Sequence, residues 1–393
     1  MNKSKVILRP GKEKSLLSRH PWIFSGAILS LPSCDQGEIL PVYSSDGRFL
    51  AQAYFHSSQS IAGRVLSFTD EPVFETIKKR LMAAFEMRSL LFDPAVTNAY
   101  RLINSEGDGL PGLVVDRYGD VLVIQINTVG MERLKSFIVD ELRRLTQPIA
   151  MYEKSDSSAR LQEGLPIIRE LLEGVEKVEK KSVGILENGL QFYVSILQGQ
   201  KTGFFLDQRQ MRKQVETMSR DLRVLNCFSY SGGFSMYALR GGAKSVTSVD
   251  CCEKALQLAE KNTELNGFDR AHHHLFQEDV FDFLRKNPLP YDLVILDPPA
   301  FVKKRADIAA GCKGYKEINR TALEKMPPKS FLITSSCSYH VDENLFQQLI
   351  FQAALEAGRN VNILSRHQHA ADHPVSVYHP EGNYLKSFIL YVE

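Results

Sequence analysis

The sequence is poor in the residues that mark several classes of protein. Its 393 residues include only six cysteines and one tryptophan. Six scattered thiols cannot cross-link a chain of this length, so a disulfide-built secreted scaffold is excluded and reduced thiols are expected. No apolar run approaches the roughly 18 residues of a spanning helix, and no apolar stretch follows the basic N-terminal residues. We therefore expect a cytoplasmic protein with no membrane partner.

Charge of one sign is also lacking, because 48 Lys and Arg face 46 Asp and Glu. Any attraction to a polyanion must therefore come from the distribution of charge. Six of the eight Lys and Arg of residues 1–72 precede residue 20. Such a cluster can meet a phosphate backbone and release counterions, or it can simply be a solvated surface. Short apolar runs between turn signals predict that residues 1–72 form a small β-rich module.

Residues 73–184 read as a compact α+β unit. Apolar residues recur at helical spacing over 73–92 and again over 131–146. Between these helices, Gly107, Gly109 and Gly112 lie among apolar runs, which is typical of hairpins joined by tight turns. The pattern offers no catalytic residues, so we expect this unit to serve as a spacer and a surface.

From residue 185 onward strands alternate with amphipathic helices, which predicts a doubly wound parallel sheet. Helices are expected over Glu253–Leu265 and Glu343–Ala357. Prolines and a glycine interrupt the last connection, so the final strand should run antiparallel to its neighbour. Six parallel strands plus one reversed strand is the layout of class I S-adenosylmethionine (SAM) methyltransferases. The predicted strands are Leu222–Cys227, Ser245–Asp250, His273–Gln277, Leu293–Asp297, Phe331–Ser335, Val361–Ser365 and Leu385–Val392.

Three features at successive strand ends predict a cofactor pocket. A glycine turn follows the first strand, Asp250 ends the second, and Asp279 follows the third. Small residues at such a turn admit a ligand to the backbone, and carboxylates there can accept ribose hydroxyls and an adenine amino group. Each feature alone could be a helix cap; three in register favour SAM. The candidate cofactor-binding residues are Asn226, Phe228, Ser229, Tyr230, Gly232, Gly233, Asp250 and Asp279.

The fourth and fifth strands end in Asp297 and Cys337, which should emerge side by side at the carboxyl edge of the sheet. A thiolate that adds to C6 of a pyrimidine makes C5 nucleophilic, and an acid at N3 stabilises the adduct. Pro298 and Pro299 leave carbonyls free to accept from a base, and Phe301 could stack on it. Free cysteines are usually inert packing residues, but serine and threonine neighbours are unusual company for one.

Several motifs, in order, resemble one known family. HPWIFSGAI (His20–Ile28), GQKTGFFLDQR (Gly199–Arg209), NCFSYSGGF, LDPPAF, SSCS and PEGNYLK are similar to bacterial 23S rRNA 5-methylcytosine methyltransferases of the RlmI (YccW) type. The resemblance spans essentially the whole chain. It implies a PUA-like RNA-binding domain (1–72), a middle α+β domain (73–184) and a SAM-dependent domain (185–393).

For the site, the resemblance implies that Cys337 is the nucleophile and Asp297 its partner, with Thr202 and Arg209 beside the cofactor. S-adenosylhomocysteine (SAH) would be the product and 23S rRNA the partner. One position departs from the family: Ala300 stands where a lysine is common after the double proline, and the nearby Lys303 and Lys304 could compensate.

Alternative functions stay open. A double proline after an acid also suits methylation of an exocyclic amine such as guanine N2, which needs no thiol. A SAM-binding ribosome-assembly factor without turnover is a third reading. The choice between naked rRNA and an assembling large subunit, and the presence of a homodimer, also stay open. No metal is expected, because the histidines between residues 367 and 379 lack a standard ligand spacing.

Overall fold

The computed structural model describes residues 4–174 and 182–393, which fall into two compact units. Unit 1 contains the described residues of 1–188, together with 194–206 and 371–382. Unit 2 contains 189–193, 207–370 and 383–393. The three-domain division of the chain stays a prediction. The units add one feature that it lacks, because the short segment 371–382 of the C-terminal sequence belongs to unit 1.

The first part of unit 1 is a six-stranded sheet, in the order β2-β6-β5-β4-β1-β3, with one short helix. Apolar residues of the strands form a buried core that includes Val42, Ala53 and Phe55. A β-rich module was predicted here, and the structure confirms it. Its elements are β1 (Val6–Leu8), α1 (Lys14–Leu17), β2 (Trp22–Phe24), β3 (Ile28–Ser30), β4 (Ile39–Tyr43), β5 (Phe49–Phe55) and β6 (Ile61–Ser67).

The second part of unit 1 is a five-stranded sheet, in the order β11-β10-β9-β8-β7, packed against helices. The helix predicted over 73–92 is confirmed, whereas that predicted over 131–146 is divided at Leu134 into two helices. The elements are α2 (Val73–Leu91), β7 (Ala99–Asn104), β8 (Leu113–Tyr118), β9 (Val121–Ile126), α3 (Val129–Arg133), α4 (Lys135–Thr146), β10 (Ala150–Ser155), α5 (Ser158–Gln162), β11 (Ile168–Gly174) and β12 (Val183–Glu187).

Segment 371–382 is held in unit 1 by specific polar contacts. The Asp372 carboxylate accepts the backbone N–H of Arg101 at 2.8 Å, and the Asp372 carbonyl accepts from the Arg88 guanidinium at 2.8 Å. Gly107 meets the segment so closely that a Cβ there would lie 1.9 Å from the carbonyl oxygen of Pro374. A side chain at position 107 would therefore push the segment away.

Unit 2 is built on a seven-stranded sheet in the order β16-β15-β14-β17-β18-β20-β19. Strand β20 is antiparallel to both of its neighbours, and the other adjacent pairs are parallel. The elements are β13 (Leu190–Val194), α6 (Arg209–Met218), β14 (Arg223–Cys227), α7 (Gly233–Arg240), β15 (Ser245–Asp250), α8 (Glu253–Leu265), β16 (His273–Gln277), α9 (Val280–Lys286), β17 (Leu293–Leu296), α10 (Ile308–Lys325), β18 (Ser330–Ser336), α11 (Glu343–Glu356), β19 (Val361–His367) and β20 (Lys386–Val392).

This sheet confirms the predicted α/β fold class and the reversed last strand. The first six strands are joined by helices, and each parallel connection needs such a crossover. The central strand β17 is buried at every residue, as expected of a parallel strand covered on both faces. No described helix combines the length and the apolar character that crossing a bilayer requires.

Candidate active site

The ends of β17 and β18 bring the predicted carboxylate and thiol together. The two strands are parallel neighbours, with Leu296 opposite Thr334. Asp297 follows β17 directly, and Cys337 follows β18. The Cys337 thiol donates to the carbonyl oxygen of Pro298 across 3.9 Å, and its side chain is partly exposed. The thiol therefore lies beside the residue that follows Asp297, at the carboxyl edge of the sheet.

Gln208 orients the carboxylate, a role that the sequence reasoning missed. Its side chain is buried, and its Nε2 donates to Asp297 Oδ1 at 2.9 Å and to Ser335 Oγ at 3.3 Å. Fixing a carboxylate with a buried amide selects one rotamer of the acid. The only signal in the sequence is position, because Gln208 directly precedes Arg209 in the GQKTGFFLDQR motif.

Lys386 is a second missed residue. It lies on β20 opposite Ser336, and its Nζ donates to the carbonyl oxygens of Ser338 and Tyr384, both at 2.7 Å. Burial lowers the pKa of Lys386 to about 8, and the charges of Cys337 and Asp342 act in the opposite direction. An ammonium group therefore lies against the turn that carries the thiol. A lysine inside an apolar strand was the available signal.

The turn after β18 is tied to the loop after β17 through Ser338. Its Oγ accepts the backbone N–H of Val302 at 3.1 Å and lies 2.8 Å from the Tyr315 hydroxyl. Burial is the largest cause of the raised pKa of Tyr315, so this phenol stays neutral at ordinary pH. These bonds make the Cys337 turn part of a fixed polar network.

The residues predicted to contact the base differ in how accessible they are. The Phe301 ring packs 4.7 Å from Tyr315 and 5.8 Å from Phe281 between ring centroids, so much of it is already in contact. Pro298 is buried, with its carbonyl accepting from Cys337, whereas Pro299 is exposed. Of these residues Pro299 is the most accessible, and stacking by Phe301 stays a prediction.

The loop after β14 has an unusual backbone. Phe228 (φ +56°), Tyr230 (φ +47°) and Gly232 (φ +78°) all adopt left-handed conformations. For the two aromatic residues this conformation costs energy, and such strain is concentrated at functional sites. A Cβ at Gly232 would also lie 3.0 Å from the Cβ of Ala259 on α8, so the glycine permits close packing of that helix.

Asp250 holds this loop to the end of β15. One carboxylate oxygen accepts the backbone N–H of Tyr230 at 2.8 Å, and the other accepts that of Cys252 at 2.9 Å. Asp279, in contrast, caps α9 by accepting the N–H of Asp282 at 3.2 Å. The structure thus brings the glycine turn and Asp250 together, and it gives Asp279 the capping role that strand-end acids often have.

Buried polar atoms lie along the same loop. The Asn226 side-chain nitrogen donates to Ser235 Oγ at 2.8 Å. Within the described part of the chain, Asn226 Oδ1, Ser229 Oγ and Ser231 Oγ are buried without a hydrogen-bond partner. Buried polar atoms of this kind are uncommon and call for an explanation, and a polar ligand at the loop is the simplest one.

The two candidate residues of the GQKTGFFLDQR motif belong to different units. Arg209 is buried at the start of α6 in unit 2. Thr202 belongs to unit 1, where its hydroxyl donates to Asp116 Oδ2 at 2.5 Å and lies 2.8 Å from the Tyr118 hydroxyl. The Thr202 hydroxyl is thus engaged in a buried network within unit 1, and its contact with a cofactor stays a prediction.

Comparison with known proteins identifies the family and its domains. Residues 169–366 match the model of the S-adenosylmethionine-dependent methyltransferase family, and residues 6–68 match a PUA-like domain. Ribosomal RNA large subunit methyltransferase I of Aeromonas salmonicida (strain A449) is 41% identical over 391 residues, which are 98% of each chain. The chain belongs to the methyltransferase I family. Its fold is that of a SAM-dependent methyltransferase.

Solved structures extend the similarity to three dimensions. A putative SAM-dependent methyltransferase from Streptococcus mutans is 28% identical, with a TM-score of 0.84, over 98% of this chain and 99% of that one. A putative methyltransferase solved as a complex with SAH reaches a TM-score of 0.86 at the same identity and coverage. The buried, unpartnered oxygens near the β14 loop fit such a polar cofactor.

Proposed function

We propose that this family member transfers the methyl group of SAM to C5 of a cytosine in large-subunit (23S) rRNA through an adduct of Cys337 with C6. The name of the Aeromonas relative supports ribosomal RNA as the substrate. One observation carries the choice of atom: the partly exposed Cys337 thiol lies 3.9 Å from the carbonyl of Pro298, the residue after Asp297. Methylation of an exocyclic amine would have no use for that thiol.

The residues of this chain divide the reaction between them. C5 of cytosine is a weak nucleophile, and addition of the Cys337 sulfur to C6 converts the ring to an enamine with electron density at C5. Asp297, held by Gln208, would sit at N3 and stabilise the ring as the adduct forms. Bound SAM supplies the electrophilic methyl group. Loss of the C5 proton then expels the thiolate and restores the aromatic ring.

The cofactor is assigned to the loop after β14 and its neighbours. Asp250 would accept the ribose hydroxyls with its remaining lone pairs, and the loop residues from Asn226 to Gly233 would surround the amino acid end. Asp279 would use its second carboxylate oxygen for the adenine amine. Arg209 stays a candidate to bind the cofactor carboxylate. Thr202 would contact the cofactor only with its backbone, because its hydroxyl is already hydrogen-bonded.

The target base has to be unpaired or flipped out, because C6 is inaccessible in a stacked duplex. The PUA-like module would add affinity through its basic N-terminal residues and take no part in the chemistry. Ala300 stands where a lysine is common in the family, so one cation is missing near the site. The exposed Lys303, Lys304 and Arg305 would supply positive charge in its place. A cytoplasmic location and a homodimer also stay predictions.

Cys337→Ala tests the thiol mechanism, and Cys312→Ala is its matched control. Cys312 is also a free, partly buried thiol of unit 2, on α10. We expect Cys337→Ala to bind SAM and transfer no label to rRNA, with Cys312→Ala fully active. Nucleoside mass spectrometry of the product should show 5-methylcytosine. RNA containing 5-fluorocytosine should form a covalent complex that survives denaturing electrophoresis with the wild type only.

Other outcomes would select another function. Methylguanine or another methylated amine in the product, together with an active Cys337→Ala, would replace the proposal with an amine methyltransferase. Tight rRNA binding without any label transfer by the wild type would indicate an assembly factor that holds SAM without turnover.

A further inference from the structure

A buried cation contacts the turn that carries the proposed nucleophile. Lys386 is 3% exposed, although lysine is almost never buried without a compensating partner. Both of its hydrogen-bond acceptors among the described residues are neutral backbone carbonyls, and one belongs to Ser338, the residue after Cys337. Two carbonyls alone are modest compensation for burying a full charge. The arrangement is explained more fully if a negative charge also forms beside the ammonium.

Titratable groups approach this turn from several elements. Lys386 comes from β20, Tyr315 from α10 and Asp342 from the N-cap of α11, while Asp297 follows β17. Cys337 interacts electrostatically with both Lys386 and Tyr315. Tyr315 stays neutral, and Asp342 and Asp297 are acidic. Lys386 is therefore the one cation in this set of groups.

We propose that Lys386 is a positioning residue that keeps Cys337 as a thiolate, ready to attack the target base. Its role in methyl transfer rests on the proposed function, whereas its effect on the thiol does not. The thiol releases its proton to solvent, and the sulfur lone pair forms the C–S bond at C6. C5 then takes the methyl group of SAM, which leaves as SAH. When solvent water later accepts the C5 proton, the C–S bond breaks and its electron pair returns to sulfur, so the thiolate is regenerated beside the same ammonium.

The charge states agree with this role near neutral pH. The pKa of Lys386, about 8, leaves most of the side chain protonated at pH 7. An ammonium near a thiol favours the thiolate and lowers the thiol pKa below the usual value of about 8.5. A lysine that served only to tie two carbonyls together would leave the thiol titrating at or above that value.

The test measures the titration of the thiol directly. The full-length protein, without RNA or SAM, is treated with iodoacetamide from pH 5.5 to 9.5, and the peptide that contains Cys337 is quantified by mass spectrometry. We expect half-maximal reactivity below pH 8 in the wild type. Lys386→Met should reduce the alkylation rate at pH 7 about tenfold, which corresponds to a rise of about one pH unit in the midpoint. Lys386→Arg should recover much of the loss.

Internal controls separate this effect from general unfolding. Cys312 in the same samples reports overall exposure, and Lys303→Met removes an exposed lysine from the loop after β17. Alkylation of Cys312 should be the same in the wild type and in Lys386→Met. The Lys303→Met variant should have the same Cys337 profile as the wild type. A wild-type midpoint of 8.5 or higher would overturn the proposal even if Lys386→Met did not fold. An unchanged profile in a folded Lys386→Met would overturn it as well.

The result is independent of the site of methylation. If the thiol is activated but the product is a methylated amine, the proposed function fails and the electrostatic pair stands. If 5-methylcytosine forms but the thiol titrates normally, the proposed function stands and Lys386 is structural.

Discussion

Buried polar side chains serve different ends in the two units. In unit 1, Arg88 is completely buried and meets both oxygens of Asp108, at 2.6 and 2.8 Å. In unit 2, Gln208 and Lys386 are also buried, but they donate to groups at the strand ends that carry Asp297 and Cys337. The Arg88–Asp108 pair is satisfied within the protein, whereas Gln208 and Lys386 orient groups that remain partly exposed.

The comparison shows that a buried charge is not by itself a sign of a catalytic site. A bidentate ion pair such as Arg88–Asp108 has its hydrogen-bonding capacity satisfied within the protein, so its removal affects folding. Ligands of such folds bind at the carboxyl edge of the parallel sheet, so polar groups there are available to contact them. Substitutions in the two places should therefore have separable effects, on stability in unit 1 and on turnover in unit 2.

The largest separation is expected for Asp297→Asn. The amide removes the charge while keeping the shape, so methyl transfer should fall by about 10²- to 10⁴-fold with little change in thermal unfolding. Initial rates with labelled SAM and rRNA measure this loss. Asp292→Asn is the control at the opposite end of β17, where the carboxylate pairs with Arg223. If both variants lose activity equally, the effect is structural and the comparison fails.

Arg88→Met should act in the opposite sense. It leaves Asp108 buried without its partner, which typically costs about 3–5 kcal/mol in the free energy of unfolding. Denaturant titration measures the cost, and SAM affinity of the folded fraction should be unchanged. The exposed Arg143 pairs with Asp140 and Glu173, and Arg143→Met should cost far less, because exposed ion pairs are screened by solvent. Equal costs for the two variants would contradict the distinction.

His273 predicts a pH dependence of stability in unit 2. Burial lowers its pKa to about 4, and its ring lies between the hydroxyls of Ser248 and Thr263. Because the unfolded chain takes up a proton near pH 6.5 and the folded chain does not, stability is lost as pH falls from 6.5 towards 4, by up to about 1.4 kcal/mol per pH unit. Above pH 6.5 this group contributes no pH dependence.

Denaturant titrations at pH 7.5 and 5 measure that loss in the wild type and in two variants. His273→Gln should flatten the difference, and the exposed neighbour His274→Gln should not. A wild type that is equally stable at both pH values would contradict the assignment.

Gln208→Met should have the smallest effect. It removes the donor to Asp297 and keeps the volume, so turnover should fall about tenfold, in line with the loss of a hydrogen bond to a charged group. Gln214→Met, at an exposed position of α6, is the control. If Gln208→Met changes only the melting temperature, Gln208 has a structural role like that of Arg88 in unit 1.

Local sequence patterns predicted much of unit 2. The strands at Ser245–Asp250 and His273–Gln277 and the helix at Glu253–Leu265 have the predicted bounds, because period and turn residues are local properties. Alternation along β16 correctly implied that His273 and His274 face opposite sides. The pairing of the Asp297 and Cys337 ends followed from the strand order of the fold.

The amino-acid sequence by itself determined the fold class. It also singled out the loop proposed for the cofactor and the two residues proposed for the chemistry, since each depends on short spacing or on the position of a residue at a strand end. Only the tertiary structure decided that Gln208 meets Asp297, that Lys386 reaches the Cys337 turn, that Thr202 is used by Asp116, and that segment 371–382 joins unit 1. Those contacts join residues far apart in the chain. Side-chain reach and burial select such partners, and no local periodicity records them.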